Sequence, residues 1–199
     1  MSVVLPEGRF RAIYADPPWN FVTRWAQART TGANGGGDRR PKYDLMTTDE
    51  IAAMPVADVA SDDCVLFLWA CWPNLMDAFR VIEGWGFTYK TCAFAWMKAN
   101  NKQPDMFRDD VDAHIGLGYW TRDNSEPCLL ATRGNPKRLS AGVRQGIIEP
   151  RRQHSRKPDC VPGRIEQLVE GPYLELFART TRPGWTVWGN QTDKFPEAA

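Results

Sequence analysis

The sequence predicts an α/β domain with a mostly parallel central sheet and helices on both faces. Short apolar segments typical of strands alternate along the chain with segments of helical spacing, and this alternation is typical of parallel sheets covered by helices. The segment 64–70, CVLFLWA, is apolar throughout, as strands buried on both faces are. The length of 199 residues fits one domain, and we expect residues 1–199 to form it.

Each element is predicted from its local pattern. A strand over 9–15 ends at two prolines, which cannot continue a central ladder. A helix over 47–54 has a threonine that can cap it and two acidic residues in its first turn. Helical spacing also covers 73–83, where Gly84 can end the helix. The other expected elements are strands over 64–70, 127–132, 173–178 and 185–188, a strand or strand pair over 87–97, and a helix over 159–170.

Composition excludes several classes of protein. The formal net charge is +1, so the chain is neither a polybasic nucleic-acid coat nor an acidic disordered tail. The 5 cysteines form no CxxC pair and the chain has 2 histidines, so we expect no metal site and reduced thiols. The longest apolar run, Cys64 to Trp72, is far shorter than the roughly 20 residues of a membrane helix. We expect a cytoplasmic protein with no membrane partner.

The motif Asp16-Pro17-Pro18-Trp19 follows directly after the first strand. The prolines fix the backbone, so the carboxylate and the nearby carbonyls project rigidly beside an aromatic ring. This arrangement suits a planar heterocycle with an exocyclic amine. An adenine amino group is a poor nucleophile because its lone pair is delocalised into the ring, and hydrogen bonds to a carboxylate and a carbonyl draw it toward a more nucleophilic geometry. The alternative is a plain turn that ends a strand.

Eight ordered blocks resemble the MT-A70 family of N6-adenine methyltransferases, from about residue 11 to residue 191. They are ADPPW (15–19), LFLWA (66–70), WMK (96–98), GYWTR (118–122) with Glu126, HSRKPD (154–159), RIE (164–166), ELFAR (175–179) and the segment from Trp185 to Gln191. The resemblance implies a Rossmann-like methyltransferase domain with the catalytic segment before the cofactor segment. It also implies S-adenosylmethionine as the methyl donor.

The resemblance assigns roles by position. Asp16, Pro17, Pro18 and Trp19 would be catalytic and hold the target adenine, with Trp19 stacking on the base or walling it. The cofactor would contact Asp16, Ser155, Lys157, Glu175, Leu176, Arg179, Asn190 and Gln191. The substrate would contact Tyr43, Lys98, Arg152, His154 and Arg156. One feature departs from larger members of the family: no acidic residue upstream of Asp16 matches the one that touches the cofactor there. The glycine-rich turn that is general among nucleotide-binding proteins is also missing, because Arg179-Thr180-Thr181 stands in its place.

The chain contains two strongly basic segments, although its formal net charge is only +1. Residues 24–42 carry a net charge of +4 and residues 133–157 carry +7, which leaves −10 for the rest of the chain. We expect a mobile basic loop over 24–42 and a basic substrate-side loop over 133–157, both flanking one cleft and neutralising phosphates.

The sequence therefore predicts transfer of a methyl group from S-adenosylmethionine to N6 of adenine in DNA, with the adenine flipped out of a duplex. The released proton passes to Asp16 or to water. The alternatives are the same reaction on RNA, a non-catalytic nucleic-acid-binding subunit, and amine modification of a small molecule. The notion of a homodimer stays open beside these alternatives.

Overall fold

The computed structural model of the protein describes residues 3–20, 44–100, 120–152 and 156–195. Within these ranges the strands are β1 (Phe10–Ala15), β2 (Ala60–Trp69), β3 (Thr88–Ala99), β4 (Ser125–Arg133), β5 (Gly146–Pro150), β6 (Tyr173–Leu176) and β7 (Trp185–Trp188). The α-helices are α1 (Thr48–Ala52), α2 (Val56–Val59), α3 (Leu75–Gly84) and α4 (Cys160–Leu168). None of the helices described here is both long and apolar enough to cross a membrane.

The strands form one sheet in the order β5-β3-β4-β2-β1-β6-β7. Strand β4 runs antiparallel to β2 and β3, and the other neighbouring strands pair in parallel. The carboxyl ends of β1, β2, β3, β5, β6 and β7 therefore lie at one edge of the sheet, together with the first residue of β4. We call this the carboxyl edge. The predicted single α/β domain with a mostly parallel sheet is confirmed.

Each face of the sheet carries its own core. Helices α1, α2 and α3 pack with residues such as Ile13 and Leu66 on one face. Helix α4 packs with Tyr14 and Phe67 on the other. Successive side chains of a strand point to opposite faces, so these neighbours in β1 and β2 divide between the two cores. The predicted helices on both faces are confirmed, and the α4 face carries the chemistry described below.

Local signals explain several element boundaries. Thr47 forms a capping box with Glu50 at the start of α1, which satisfies two backbone N–H groups that a helix end leaves unpaired. Strand β6 stops at Leu176, earlier than predicted, because Phe177 has a left-handed φ of 61°, which a strand cannot accommodate. Beyond β7, Gly189 permits a close approach, because a Cβ there would lie 2.7 Å from the Ala178 carbonyl oxygen.

The segment 133–157 is not a single loop at one cleft. It contains the edge strand β5, which pairs with β3 and was not predicted. The segment begins at the end of β4, so exposed Lys137 and Arg138 lie beyond the edge opposite the carboxyl edge. Arg133 donates to the Ala57 carbonyl. Among the described residues of this segment, Arg151 and Arg152 directly follow the carboxyl end of β5, and a substrate-side role for 133–157 stays a prediction. Residues 24–42 lie outside the described residues.

Candidate active site

Asp16 follows the last residue of β1 and lies on the α4 face, in alternation with Ala12 and Tyr14 of the same core. The backbone beyond it is held at two points. The Trp19 N–H donates to the Pro17 carbonyl at 2.9 Å, and the Met46 N–H donates to the Pro18 carbonyl at 2.9 Å. A carbonyl oxygen has two lone pairs, so each of these carbonyls retains one for a ligand. The turn is therefore rigid and still able to accept hydrogen bonds.

A chain of alternating charges passes through Asp16. Its two carboxylate oxygens accept from Arg179 Nη2 at 2.6 Å and from Lys157 Nζ at 2.8 Å. Lys157 also lies 3.3 Å from Glu126, and Glu126 pairs with Lys98 at 2.6 Å. The five side chains are between 12% and 19% exposed. We call this set the ion-pair chain. It holds the Asp16 carboxylate in one position, because both oxygens have charged donors.

Strand register brings the ion-pair chain together. Glu126 opposes Trp96 in the β3–β4 pair, and paired residues of antiparallel strands point to the same face. Lys98 is two residues beyond Trp96 and shares that face. Lys157 lies shortly before α4, which packs on this side, and its ammonium is 5.5 Å from the centre of the Trp69 ring. The carboxyl edge thus collects these groups from β1, β3, β4 and the segment before α4.

The pKa values of the ion-pair chain follow from burial and partners. Burial alone would lower the pKa of the Lys157 ammonium, but the Asp16 and Glu126 carboxylates outweigh burial and raise it. Burial would raise the pKa of the Glu126 carboxyl, but Lys157 and Lys98 outweigh it and lower that pKa. Both groups are consequently charged at neutral pH, so the alternating pattern persists under ordinary conditions.

A cleft that is partly open to solvent lies beside Asp16. Glu175 of β6 stands next to Tyr14 in the parallel register and lines the cleft with it. Burial raises the pKa of the Glu175 carboxyl, and the Arg182 guanidinium opposes that rise. Burial also raises the pKa of the Tyr14 hydroxyl well above its usual value, with Glu175 adding to the effect. Tyr14 accepts a hydrogen bond from Trp69 Nε1 at 2.7 Å.

Arg182 completes the far end of the cleft. Its Nη2 lies 3.2 Å from Glu175 Oε2, and its guanidinium lies 5.6 Å from the centre of the Trp185 ring. The buried Nε of Arg182 has no hydrogen-bond partner among the described residues. A buried donor without an acceptor is costly, so a donor of this kind on a cleft wall suits a ligand acceptor. The cleft offers carboxylates at both ends and guanidinium groups beside them.

Comparison with known proteins identifies the family of the chain. The MT-A70 family model matches residues 10–191. The chain belongs to the MT-A70 family. It is 30% identical over 197 residues to the type II methyltransferase M.MunI of Mycoplasma sp, covering 93% of this chain and 78% of that protein. It is 28% identical to the human N(6)-adenosine-methyltransferase catalytic subunit METTL3, over 94% of this chain but 29% of METTL3. The Arabidopsis thaliana N(6)-adenosine-methyltransferase MT-A70-like is 27% identical, and the chain covers 24% of it.

The structure brings six of the residues assigned by the MT-A70 resemblance into the site. Asp16, Lys157, Glu175 and Arg179 line one cleft, and Lys98 joins it through Glu126. Arg156 was expected on the substrate side, but it lines the same cleft, bonded to Asp159 and stacked 5.0 Å from the centre of the Phe195 ring. Arg156 therefore lies with the residues that line the cleft.

Several assigned residues lie elsewhere or outside the description. The Leu176 side chain is fully buried in the core, so its backbone alone could face a ligand. Gln191 accepts from Lys194 at 2.8 Å, and Asn190 is exposed after β7; neither lines the cleft. Arg152 pairs with Asp159. Tyr43, His154 and Ser155 lie outside the described residues.

Trp19 takes a different place from the one expected for a base-stacking ring. It is 5% exposed and packs in the core that α1, α2 and α3 share. Its Nε1 donates to the Trp69 carbonyl at 3.0 Å. The Trp19 ring therefore anchors the Asp16 turn to β2 from the face that carries α1, α2 and α3. Because the ring is buried, its position does not favour stacking on a substrate base.

Glu126, Arg182 and Phe195 are among the cleft or network residues that sequence reasoning left unassigned. Glu126 was seen only as part of a motif, although its alternation with the apolar residues of β4 could have placed it on the α4 face. Arg182 lies seven residues after its partner Glu175, across a turn. Phe195 reaches the cleft through long-range bonds, from its own N–H to the Arg179 carbonyl and from the Thr180 hydroxyl to its own carbonyl. No local pattern indicates that contact.

Proposed function

We propose that this chain transfers the methyl group of S-adenosylmethionine to N6 of adenine in DNA. The observation that carries the proposal is the position of the Asp16 carboxylate. It lies at the carboxyl edge after β1, both oxygens are held by cations, and the cleft to Glu175 opens beside it. Ligands of open α/β sheets bind at this edge.

The cleft fits the chemistry of that cofactor. Glu175 is an acceptor for a ribose diol, and the unpartnered Nε of Arg182 is a donor beside it. At the other end, Asp16 accepts from an ammonium, while Arg179 and Lys157 are placed to meet a carboxylate. When bound, S-adenosylmethionine supplies a methyl group on a positively charged sulfur. The residues of this chain thus offer partners to the two polar ends of such a molecule, with Asp16 at the amino-acid end.

The rigid turn after β1 prepares the amine. Asp16 and the carbonyls of Pro17 and Pro18 can accept hydrogen bonds from an adenine amino group, because each carbonyl retains one lone pair. Such bonds favour a pyramidal nitrogen over one conjugated with the ring. Catalysis of this kind is positioning and electrostatic preorganisation, and it needs no movement of Asp16.

DNA is placed before RNA because the chain is 30% identical, over 93% of its length, to the type II methyltransferase M.MunI. The N(6)-adenosine-methyltransferases, whose names specify the ribonucleoside, are 27% and 28% identical. The similarity to those enzymes keeps RNA as the second candidate. A non-catalytic subunit is disfavoured, because the Asp16 turn and its charged partners are intact.

The direct test maps N6-methyladenine in DNA from bacterial cells that express this chain. Cells expressing the wild type should acquire N6-methyladenine in one or a few sequence contexts, and cells expressing Asp16→Ala should not. Arg11→Ala is the matched control, because Arg11 is exposed and pairs with Glu170 away from the cleft. Full methylation by Asp16→Ala would refute the assignment. Methylation of RNA alone would transfer the proposal to the second substrate.

A further inference from the structure

The turn after β2 exposes an indole ring at the carboxyl edge. Trp72 begins a short 3-10 helix, Trp72–Asn74, and is 52% exposed, whereas Trp69 three residues earlier is fully buried. The Trp72 Nε1 donates to the Ser125 hydroxyl at 2.9 Å, and Ser125 is the first residue of β4. The ring is therefore fixed in orientation while half of its surface meets solvent. A large aromatic ring that is fixed in this way and half exposed is a candidate contact for a ligand.

Strand alternation places Trp72 on the other side of the ion-pair chain from the cleft. Ser125 pairs with Met97 across β3 and β4, and the next residues, Glu126 and Lys98, carry the ion pair. Neighbouring residues of a strand point to opposite faces. The side chains of Ser125 and Met97, beside which Trp72 lies, thus face away from the α4 side of the sheet, where the cleft lies.

The turn that carries Trp72 is close to the ion-pair chain and is firmly built. Burial raises the pKa of the neighbouring Cys71 thiol to about 12, and the Glu126 carboxylate adds to that rise, so the thiol is within electrostatic reach of Glu126. The Asn74 N–H donates to the Cys71 carbonyl at 2.9 Å. The Asn74 side chain is buried and donates to Asp77 at 3.3 Å. The indole is consequently held by both its own N–H and its backbone.

Other groups around Trp72 match a nucleic-acid strand. Met97 is 37% exposed beside Ser125 and extends the apolar surface. Arg122, three residues before Ser125, and Arg151, directly after β5, are exposed at the same edge. Exposed arginines beside an exposed aromatic ring suit a strand, because phosphates meet the cations and bases stack on the ring.

We propose that Trp72 is a stacking platform for a nucleobase adjacent to the target adenine. This inference rests on the proposed function and adds a specific contact to it. When an adenine leaves the stack, the neighbouring base loses a stacking partner. The Trp72 ring supplies a replacement on the substrate side of Asp16, while the cofactor occupies the opposite side. The platform holds the strand in its open form and contributes to substrate affinity without reading the base by hydrogen bonds.

The test uses a single-stranded oligonucleotide that carries the adenine context methylated by the wild type. Trp72→Ala should raise KM for this strand about tenfold or more, the range expected for loss of one base–aromatic stack. The value of kcat and the Kd for S-adenosylmethionine should change less than twofold. Trp72→Phe should retain most of the affinity, because it keeps a ring. Tyr89→Ala is the control, since Tyr89 is an exposed aromatic residue at the opposite edge.

Two further strands separate stacking from a structural effect. Each carries one abasic position next to the adenine, on the 5′ side in one strand and on the 3′ side in the other. If Trp72 stacks on a neighbouring base, one abasic position should raise KM for the wild type and should leave Trp72→Ala almost unchanged. The inference would be overturned if Trp72→Ala had an unaltered KM, or if its increase in KM were equally large with both abasic strands. Either result would leave the proposed function standing. A wild type that methylates no adenine would instead refute the proposed function and, with it, this inference.

Discussion

Glu126→Gln tests whether the ion-pair chain holds the active site together. The substitution keeps the shape of the side chain and removes the charge between Lys98 and Lys157, which lie 2.6 and 3.3 Å away. At an effective dielectric of 20, two unit charges 3 Å apart attract by about 5 kcal/mol, and desolvation offsets part of this. Removing one partner of a buried pair costs about 3 kcal/mol, because the other charge remains buried. Glu126 and Lys98 are 19% and 12% exposed, so solvent can compensate only in part.

The assay is thermal and urea denaturation of the protein without cofactor, from pH 7.5 to pH 3.5. A loss of about 3 kcal/mol corresponds to a Tm lower by roughly 6–12 °C for a chain of this size. The pKa of Glu126 is lower in the folded protein than its usual value of 4.5. Its charge therefore stabilises the fold fully above pH 4.5, and this stabilisation is lost as the pH falls through the pKa of the folded protein. The difference between wild type and Glu126→Gln should therefore shrink at the acid end.

The control for this experiment is Glu170→Gln. Glu170 pairs with Arg11 at 3.1 Å, but both side chains are more than half exposed, and exposed pairs contribute about 0–1 kcal/mol. If Glu126→Gln unfolds within about 0.5 kcal/mol of the wild type at pH 7.5, in the range of an exposed pair, the ion-pair chain does not stabilise the site and the reasoning fails.

Three further predictions concern the cleft and the turn. Arg182→Ala should weaken S-adenosylmethionine binding about tenfold by calorimetry, since charged hydrogen bonds contribute roughly 1.5–3 kcal/mol; an unchanged Kd would exclude Arg182 from the cofactor site. Burial raises the pKa of Glu175, so the affinity for S-adenosylmethionine should begin to fall at a pH above 4.5 as the medium is acidified. Glu175→Gln should abolish this pH dependence, and equal pH profiles for the variant and the wild type would contradict a role of Glu175 in cofactor binding. Trp19→Phe leaves the buried Trp69 carbonyl without its donor and should lower the free energy of unfolding by about 1–3 kcal/mol, measured in urea; no loss would show that the hydrogen bond is not needed to anchor the turn.

Local sequence patterns predict most of the fold. Strand β7 has the predicted bounds, and β1 and α1 lie within the predicted ranges. Strand β5, GIIEP, was missed because a glycine and a proline bracket two apolar residues, and pairing with β3 creates the strand. The start of β2 was missed because Ser61, Asp62 and Asp63 are polar. In the structure the Asp63 carboxylate accepts from the Asn135 N–H at 2.7 Å, a contact between residues far apart in sequence.

The sequence predicts several single residues of the site, but it does not predict which of them contact one another. The position of Asp16 follows from a strand ended by prolines, and that of Glu175 from the strand that becomes β6. The pairing of Asp16 with both Lys157 and Arg179 depends on parallel neighbours that sequence spacing does not reveal. The antiparallel direction of β4, which brings Glu126 to the carboxyl edge, also depends on tertiary pairing. Motif resemblance assigned the individual residues, and the register of the sheet determines which of them meet.

The most direct measurement of the central claim follows the methyl group itself. The purified chain is incubated with DNA and S-adenosylmethionine carrying a deuterated methyl group, and the DNA is digested to nucleosides for mass spectrometry. The account predicts label on N6 of deoxyadenosine with the wild type and none with Asp16→Asn. Label on another nucleoside, or equal label on deoxyadenosine with Asp16→Asn, would contradict it.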